Sequence, residues 1–163
     1  MLEQLHNRKP RLAHFSINPE NILLDQYFKP ILIGFKHCKE CKFQMDWPAV
    51  GSPNFPNNPS YTCPEILLNS KKQERFWLAD VYSVGAIIFE LLFNRPLVSE
   101  AIGSDKKRIS ELLSKKRIEK KINDECGSNY LTRDLLVRIL KRDSYDRVNA
   151  DRALQEPVFL NEG

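Results

Sequence analysis

From Phe76 to Phe93 the chain is apolar on nearly every side of a helical wheel, with Trp77, Val81, Val84, Ile87, Ile88, Leu91 and Leu92 spread around it. A helix of this kind has no face to give to water and must be enclosed by neighbours or by lipid. Asp80, Ser83 and Glu90 interrupt the run, and a charge in the middle of a bilayer is costly. The stretch is therefore expected to be a core helix that the rest of the chain wraps, not a membrane span.

The chain has 163 residues, enough for one domain with a true core. Its 25 Lys and Arg against 21 Asp and Glu leave +4, too mild for a nucleic-acid binder. Eight basic residues against three acidic ones between Asp105 and Lys121 account for this excess, so the basic character belongs to one segment. Four cysteines and no secretory segment after Met1 argue against a disulfide scaffold and for an intracellular, cytoplasmic protein.

Along the chain, Ile22–Leu24 and Ile31–Ile33 flank the polar turn Asp25–Lys29 and predict a hairpin of two short buried strands. Residues Lys36–Ser60 hold Pro48, Pro53, Pro56 and Pro59, which forbid a continuous helix or a paired strand there. Beyond it the pattern turns helical. Asn94-Arg95-Pro96 stops the core helix, and Asp105–Ile122 is amphipathic with Ser104 as N-cap and Ile109, Leu112, Leu113 and Ile118 as its buried stripe. Tyr130–Lys141 follows, and Asn149 caps a last helix, Ala150–Gln155, ended by Pro157. The expected class is mainly α with a small β hairpin.

Five segments carry a resemblance. His14-Phe15-Ser16-Ile17-Asn18-Pro19-Glu20-Asn21 resembles the catalytic loop H-R-D-L-K-P-E-N of protein kinases. Ile33-Gly34-Phe35-Lys36 stands where that family has D-F-G, and Tyr61-Thr62-Cys63-Pro64-Glu65 is similar to the A-P-E end of its activation segment. Asp80-Val81-Tyr82-Ser83-Val84-Gly85 resembles the D-V-W-S-x-G start of the family's central helix. Arg147-Val148-Asn149-Ala150, with Ala153-Leu154 and Pro157-Val158-Phe159, resembles its closing R-x-T-A…A-L…H-P-x-F. The five occur in the family's order, from about Leu2 to Leu160.

The resemblance implies a partial kinase-like C-terminal lobe as one unit over residues 1–163. It comprises a catalytic-loop and hairpin region (11–35), an activation-segment-like loop (36–65) and a helical part (66–160). Leu2–His6 resembles the last turn of the helix before the catalytic loop, so the N-terminal lobe is expected to be absent. No G-x-G-x-x-G occurs among the six glycines.

Kinase chemistry needs an Asp to accept the substrate's hydroxyl proton and an Asp with an Asn to hold Mg²⁺. By the resemblance, Ser16 stands at the base position, Asn18 at the loop lysine and Gly34 at the metal-binding Asp, with Phe35 beside it. A lost general base typically costs about 10²–10⁴ in rate. Asn21 is the one metal-ligand position kept, a poor magnesium site without its carboxylate neighbour and equally able to tie the loop's own backbone. His14 is expected to brace the loop. Glu65 and Arg147 match positions that form a buried ion pair, and Asp80 matches a buried carboxylate that accepts backbone N–H groups of the catalytic loop; a plain helix N-cap is its other reading.

Weaker signals remain. Cys38 and Cys41 have C-x-x-C spacing without the second ligand pair that zinc wants, and Cys63 and Cys126 are isolated, so unpaired thiols are expected. The Asp105–Lys121 stripe suits an acidic partner or anionic lipid, although such runs are usually solvated faces. Ser52, Ser60 and Thr62 lie where phosphorylation would order a loop, but Asn57-Asn58 replaces the family's G-T.

The expected function is non-catalytic, a pseudokinase-like fragment that binds or scaffolds protein, or self-associates, with no nucleic acid and no cofactor. The alternative is the C-terminal part of a longer Ser/Thr protein kinase that uses ATP and magnesium. A helical binding module without kinase ancestry would leave Glu65 and Arg147 far apart.

Overall fold

The computed structural model describes residues 2–42, 45–50, 52–55, 58–69, 75–99, 103 and 105–160. Helix α1 (Leu2–His6) leads into strand β1 (Leu12–Ala13). Strands β2 (Ile22–Leu24) and β3 (Pro30–Leu32) pair antiparallel, with Leu23 opposite Ile31. Strand β4 (Lys39–Glu40) returns to pair antiparallel with β1, Ala13 opposite Lys39. Helices follow: α2 (Pro64–Leu67), α3 (Leu78–Phe93), α4 (Lys106–Leu112), α5 (Lys115–Cys126), α6 (Tyr130–Ile139), α7 (Ala150–Ala153) and α8 (Pro157–Leu160). The described residues are thus mainly helical with two small two-stranded sheets.

Helix α3 is the axis of the core. Leu78, Val81, Tyr82, Ala86 and Phe89 are buried along it. Gly85 lets α6 approach, because a Cβ there would lie 2.9 Å from Ile139 Cγ1. The enclosure is not complete. Leu91 and Leu92 at the C-terminal end are 78% and 54% exposed, so the all-round apolar pattern overstates the burial. Asn94, at φ +52°, ends the helix in the left-handed conformation that Asn tolerates.

Other expectations are corrected in detail. The hairpin strands are short as expected but not buried: Leu23, Leu24 and Ile31 are 50%, 61% and 44% exposed. β2 and β3 pair only with each other among the described residues, so most of the hairpin surface stays open. The second strand is Pro30–Leu32, one residue earlier than its apolar run. The amphipathic stretch from Asp105 is two helices, because Ser114 takes an extended conformation (φ −64°, ψ 141°) between α4 and α5. Asp105 itself caps α4 by accepting from Lys107 N at 2.9 Å, while the expected cap, Ser104, lies outside the described residues. Helix α7 is capped by Asn149, whose side chain accepts from Arg152 N at 2.9 Å. Pro157, expected only to end a helix, also begins α8, where its missing N–H costs nothing.

The proline-rich stretch is irregular, yet not wholly: Lys39–Glu40 is paired, and Met45, Trp47 and Phe55 are buried. Trp47 sits edge-on between Phe15 and Phe76, with ring centroids 4.9 and 5.7 Å away. The stretch thereby ties the loop after β1 to the approach to α3.

Candidate functional site

Asp80, in the first turn of α3, is completely buried and organises the loop that follows β1. One carboxylate oxygen accepts from Phe15 N at 2.9 Å, and the other accepts from His14 N at 2.8 Å and from His6 Nε2 at 3.0 Å. A buried carboxylate surrounded by three donors clamps a loop, and it does more than cap a helix. Phe15 occupies the left-handed region at φ +59°, a conformation that persists where surrounding bonds over-determine it.

From this anchor the loop is tied to the hairpin. His14 donates from Nε2 to the Ile33 carbonyl at 2.9 Å and accepts from Ser16 N at Nδ1, 3.2 Å away. Both ring nitrogens are spent, so His14 braces backbone. Its ring meets that of Phe35 edge-on at 4.7 Å. Asn18 accepts from Glu20 N at 2.9 Å and caps the 3₁₀ turn Pro19–Asn21.

Asn21 closes the loop on itself. Its Nδ2 donates to the Ser16 carbonyl at 2.7 Å and lies 3.2 Å from Ser16 Oγ. Gly34 faces the same amide. Its φ of +77° favours glycine, and a Cβ added there would collide with Asn21 Oδ1. Ser16, Asn18, Asn21 and Gly34 thus converge without a carboxylate or a cation among them. Among the described residues no group of three or more His, Cys, Asp or Glu side chains is placed to hold a metal ion.

A second charged centre lies where α2 meets the segment after α6. Arg147 grips Glu65 with two nitrogens, at 2.7 and 3.0 Å, across 82 positions of sequence. It also donates to the carbonyls of Leu78 and Lys141 at 2.8 and 2.9 Å. Both side chains are nearly fully buried. Burial alone would lower the arginine's pKa, and the Glu65 carboxylate more than offsets it, so Arg147 titrates above its ordinary value. The guanidinium also lies 5.1 Å from the centre of the Tyr82 ring.

Other sequence candidates fall outside these centres. Cys38 and Cys41 are half-buried free thiols, and burial pushes Cys41 up to about 12. Cys63 is fully buried and its thiol is raised too, again chiefly by burial. Thr62 is buried with its hydroxyl donating to the Asn58 carbonyl at 2.9 Å. In the basic segment Lys120 pairs with Asp124, and Lys121 donates to the Pro96 carbonyl.

Sequence reasoning missed several contacts. His6 gave no signal, because nothing local says that a histidine at a helix end reaches a carboxylate 74 positions away. Tyr61 stands in the sequence only as part of a motif, yet its hydroxyl donates to Glu90 at 2.6 Å and fastens the segment before α2 to α3. Lys39 stacks over Trp47 at 4.3 Å, a contact visible only once β4 is paired.

A model of the protein kinase domain matches residues 1–159, nearly the whole chain. The chain belongs to the protein kinase family. It is 27% identical over 161 residues to the serine/threonine-protein kinase unc-51 of Caenorhabditis elegans, covering 94% of this chain and 18% of that protein. It is 29% identical over 154 residues to the serine/threonine-protein kinase ULK3 of Xenopus laevis, covering 91% and 29%. To the serine/threonine-protein kinase PKH1 of Saccharomyces cerevisiae it is 26% identical over 171 residues, covering 99% and 20%. This kinase-family chain therefore spans less than a third of the length of these relatives. No helix among its described residues is long and apolar enough to cross a membrane.

Proposed function

We propose that these 163 residues correspond to the C-terminal lobe of a protein kinase domain and act without phosphoryl transfer, as a protein-binding or scaffolding element. On this reading residues 11–35 are the catalytic-loop and hairpin region, 36–65 the activation-segment-like loop and 66–160 the helical part. The supporting observation is the Asn21 amide, spent on Ser16 and packed against Gly34. At the family's base, lysine and metal-carboxylate positions stand Ser16, Asn18 and Gly34. A serine hydroxyl is a poor proton acceptor near neutral pH, and magnesium wants carboxylate and phosphate oxygens in near-octahedral array. Neither ATP nor magnesium is part of the proposed activity.

The test is a calorimetric titration of this chain with Mg·ATP, expected to give no saturable heat. Magnesium-dependent binding below about 1 mM would overturn the reading.

A second reading is that the chain is the C-terminal part of a longer Ser/Thr kinase that still transfers phosphate. It is favoured by the short share of each relative that the chain spans. An in-frame glycine-rich loop and strand lysine encoded upstream of Met1 would support it, and phosphorylation of a protein substrate by that longer product would establish it.

A further inference from the structure

The turn between β2 and β3 holds two aromatic side chains out in water. Asp25 Oδ1 accepts from Tyr27 N at 2.8 Å and from Lys29 N at 2.9 Å, and the Asp25 carbonyl accepts from Phe28 N at 3.0 Å. Phe28 sits at φ +60°, a conformation that a bulky residue keeps only where its surroundings over-determine it. Tyr27 and Phe28 are nonetheless each 80% exposed. Aromatic side chains on a turn ordered in advance lose little freedom on binding, which suits them to anchor an interface.

Beside this knob lies a groove of about 380 Å³ between α1, α3, α6, α7 and α8, with Pro30 among its lining residues. Its lining is almost wholly apolar and includes Val84, Ile88 and Leu135, with the exposed Leu154 and Phe159. A groove of this size is on the scale of sites that enclose small ligands, and so takes an aromatic ring. Leu24 pairs opposite Pro30 and shares its face of the hairpin. Knob and groove therefore adjoin at Pro30 on one surface. With about 200 Å² for a whole residue of this size, the exposed parts of Leu24, Tyr27, Phe28, Leu154 and Phe159 amount to roughly 650 Å². Soluble monomers rarely expose one apolar patch above about 300–600 Å², whereas specific interfaces bury about 600–1,000 Å² per partner.

We propose that two copies of this chain form a two-fold dimer in which the Tyr27–Phe28 turn of each enters the apolar groove of the other. A two-fold axis beside Pro30 exchanges an adjoining knob and groove, so that forming one contact forms its mate. Charge agrees with this arrangement. Glu3, the charged residue lining the groove, and Lys29, beside the knob, form no ion pair with a described residue. The exchange sets the partner copy's Lys29 against Glu3. The proposal names the partner for the protein-binding role above and rests on that role. A monomer would refute it without touching the Mg·ATP titration that tests the absence of phosphoryl transfer.

The experiment is sedimentation velocity of the whole chain from about 1 to 200 μM. A species of twice the 19.0 kDa chain mass is expected, with a dissociation constant below about 50 μM. Tyr27→Ser with Phe28→Gly removes the knob and keeps the left-handed turn, and Ala153→Arg obstructs the groove. Each, checked for folding by circular dichroism, is expected to weaken the dimer at least tenfold. If either unfolds, photocrosslinking decides: p-benzoylphenylalanine at position 28 should join two chains through peptides that hold Ile139 or Leu154. A monomer at 200 μM would overturn the proposal, including one whose groove is filled only when residues encoded upstream are added. So would open-ended oligomers, a dimer undiminished in both folded variants, or crosslinks confined to the hairpin of the second chain.

Discussion

Two kinds of centre in this kinase-family chain treat charge in opposite ways. At Glu65–Arg147 and around Asp80, full charges are buried and every one is met: Arg147 by a carboxylate and two carbonyls, Asp80 by two backbone N–H groups and a histidine. At the Ser16–Gly34 loop, the side chains are neutral and bond mainly to each other's backbone. Buried charge costs several kcal/mol per ion unless it is fully compensated. It is found here where it holds distant segments together. At the Ser16–Gly34 loop short neutral groups stand instead, and they close the loop on itself.

That contrast can be broken most forcefully at Arg147. Arg147→Ala leaves Glu65 buried and unpaired, and is expected to cost about 3–5 kcal/mol in urea unfolding, enough to unfold a marginal domain. A loss under about 1 kcal/mol would mean that the pair does not anchor the fold. Asp80→Ala is next, expected to cost about 3 kcal/mol because the donors of His14 and Phe15 lose their acceptor. Its first readout should be faster amide exchange at His14 and Phe15, not global melting.

Smaller effects test the neutral centre. Gly34→Ala is expected to cost about 1–3 kcal/mol, from strain at φ +77° and displacement of the Asn21 amide. On the proposed non-catalytic reading, Ser16→Asp with Gly34→Asp still gives no magnesium-dependent ATP binding by calorimetry, since Asn21 occupies the space the new carboxylate needs. Binding in that double variant would show that the loop opens readily.

The smallest expected effect is at Tyr61. Tyr61→Phe removes one hydrogen bond to Glu90 and should cost about 1 kcal/mol. Burial, and then the bond to Glu90, raise the Tyr61 hydroxyl from its ordinary 10 to about 12. The folded state therefore keeps a proton that the unfolded chain loses. This contribution is full below about pH 10 and disappears as pH climbs through about 12. Parent and Tyr61→Phe stabilities should converge over that window; a constant difference would place the effect in packing.

Much of this was legible along the chain. The core helix showed because apolar residues around a whole wheel favour burial over most of its length, and the Asn149 cap showed because capping is a contact between near neighbours. Ser16, Asn18 and Gly34 stand out by their place in motif-like segments, and residue identity alone says that they carry neither carboxylate nor amine. Less legible was the degree of burial. Leu23, Leu24 and Ile31 are as apolar as core residues, yet they stand in the open because no third strand joins β2 and β3 among the described residues. The break at Ser114 was hidden because the stripe of Ile109, Leu112, Leu113 and Ile118 continues across it.

By itself the sequence determined the helical class, the principal helix and turn positions, the family, and the lack of charge at Ser16, Asn18 and Gly34. These follow from spacing and identity, which need no knowledge of where the chain goes in space. Tertiary structure decided the rest: that His6 completes the shell of Asp80, that Trp47 from a proline-rich loop enters the core, and that Asn21 turns toward Ser16 and leaves no room at Gly34. Each joins residues whose separation in sequence carries no energetic signature of its own. The partners of such groups are set by the global path of the chain, which is selected by burial summed over the whole core and not by any local preference.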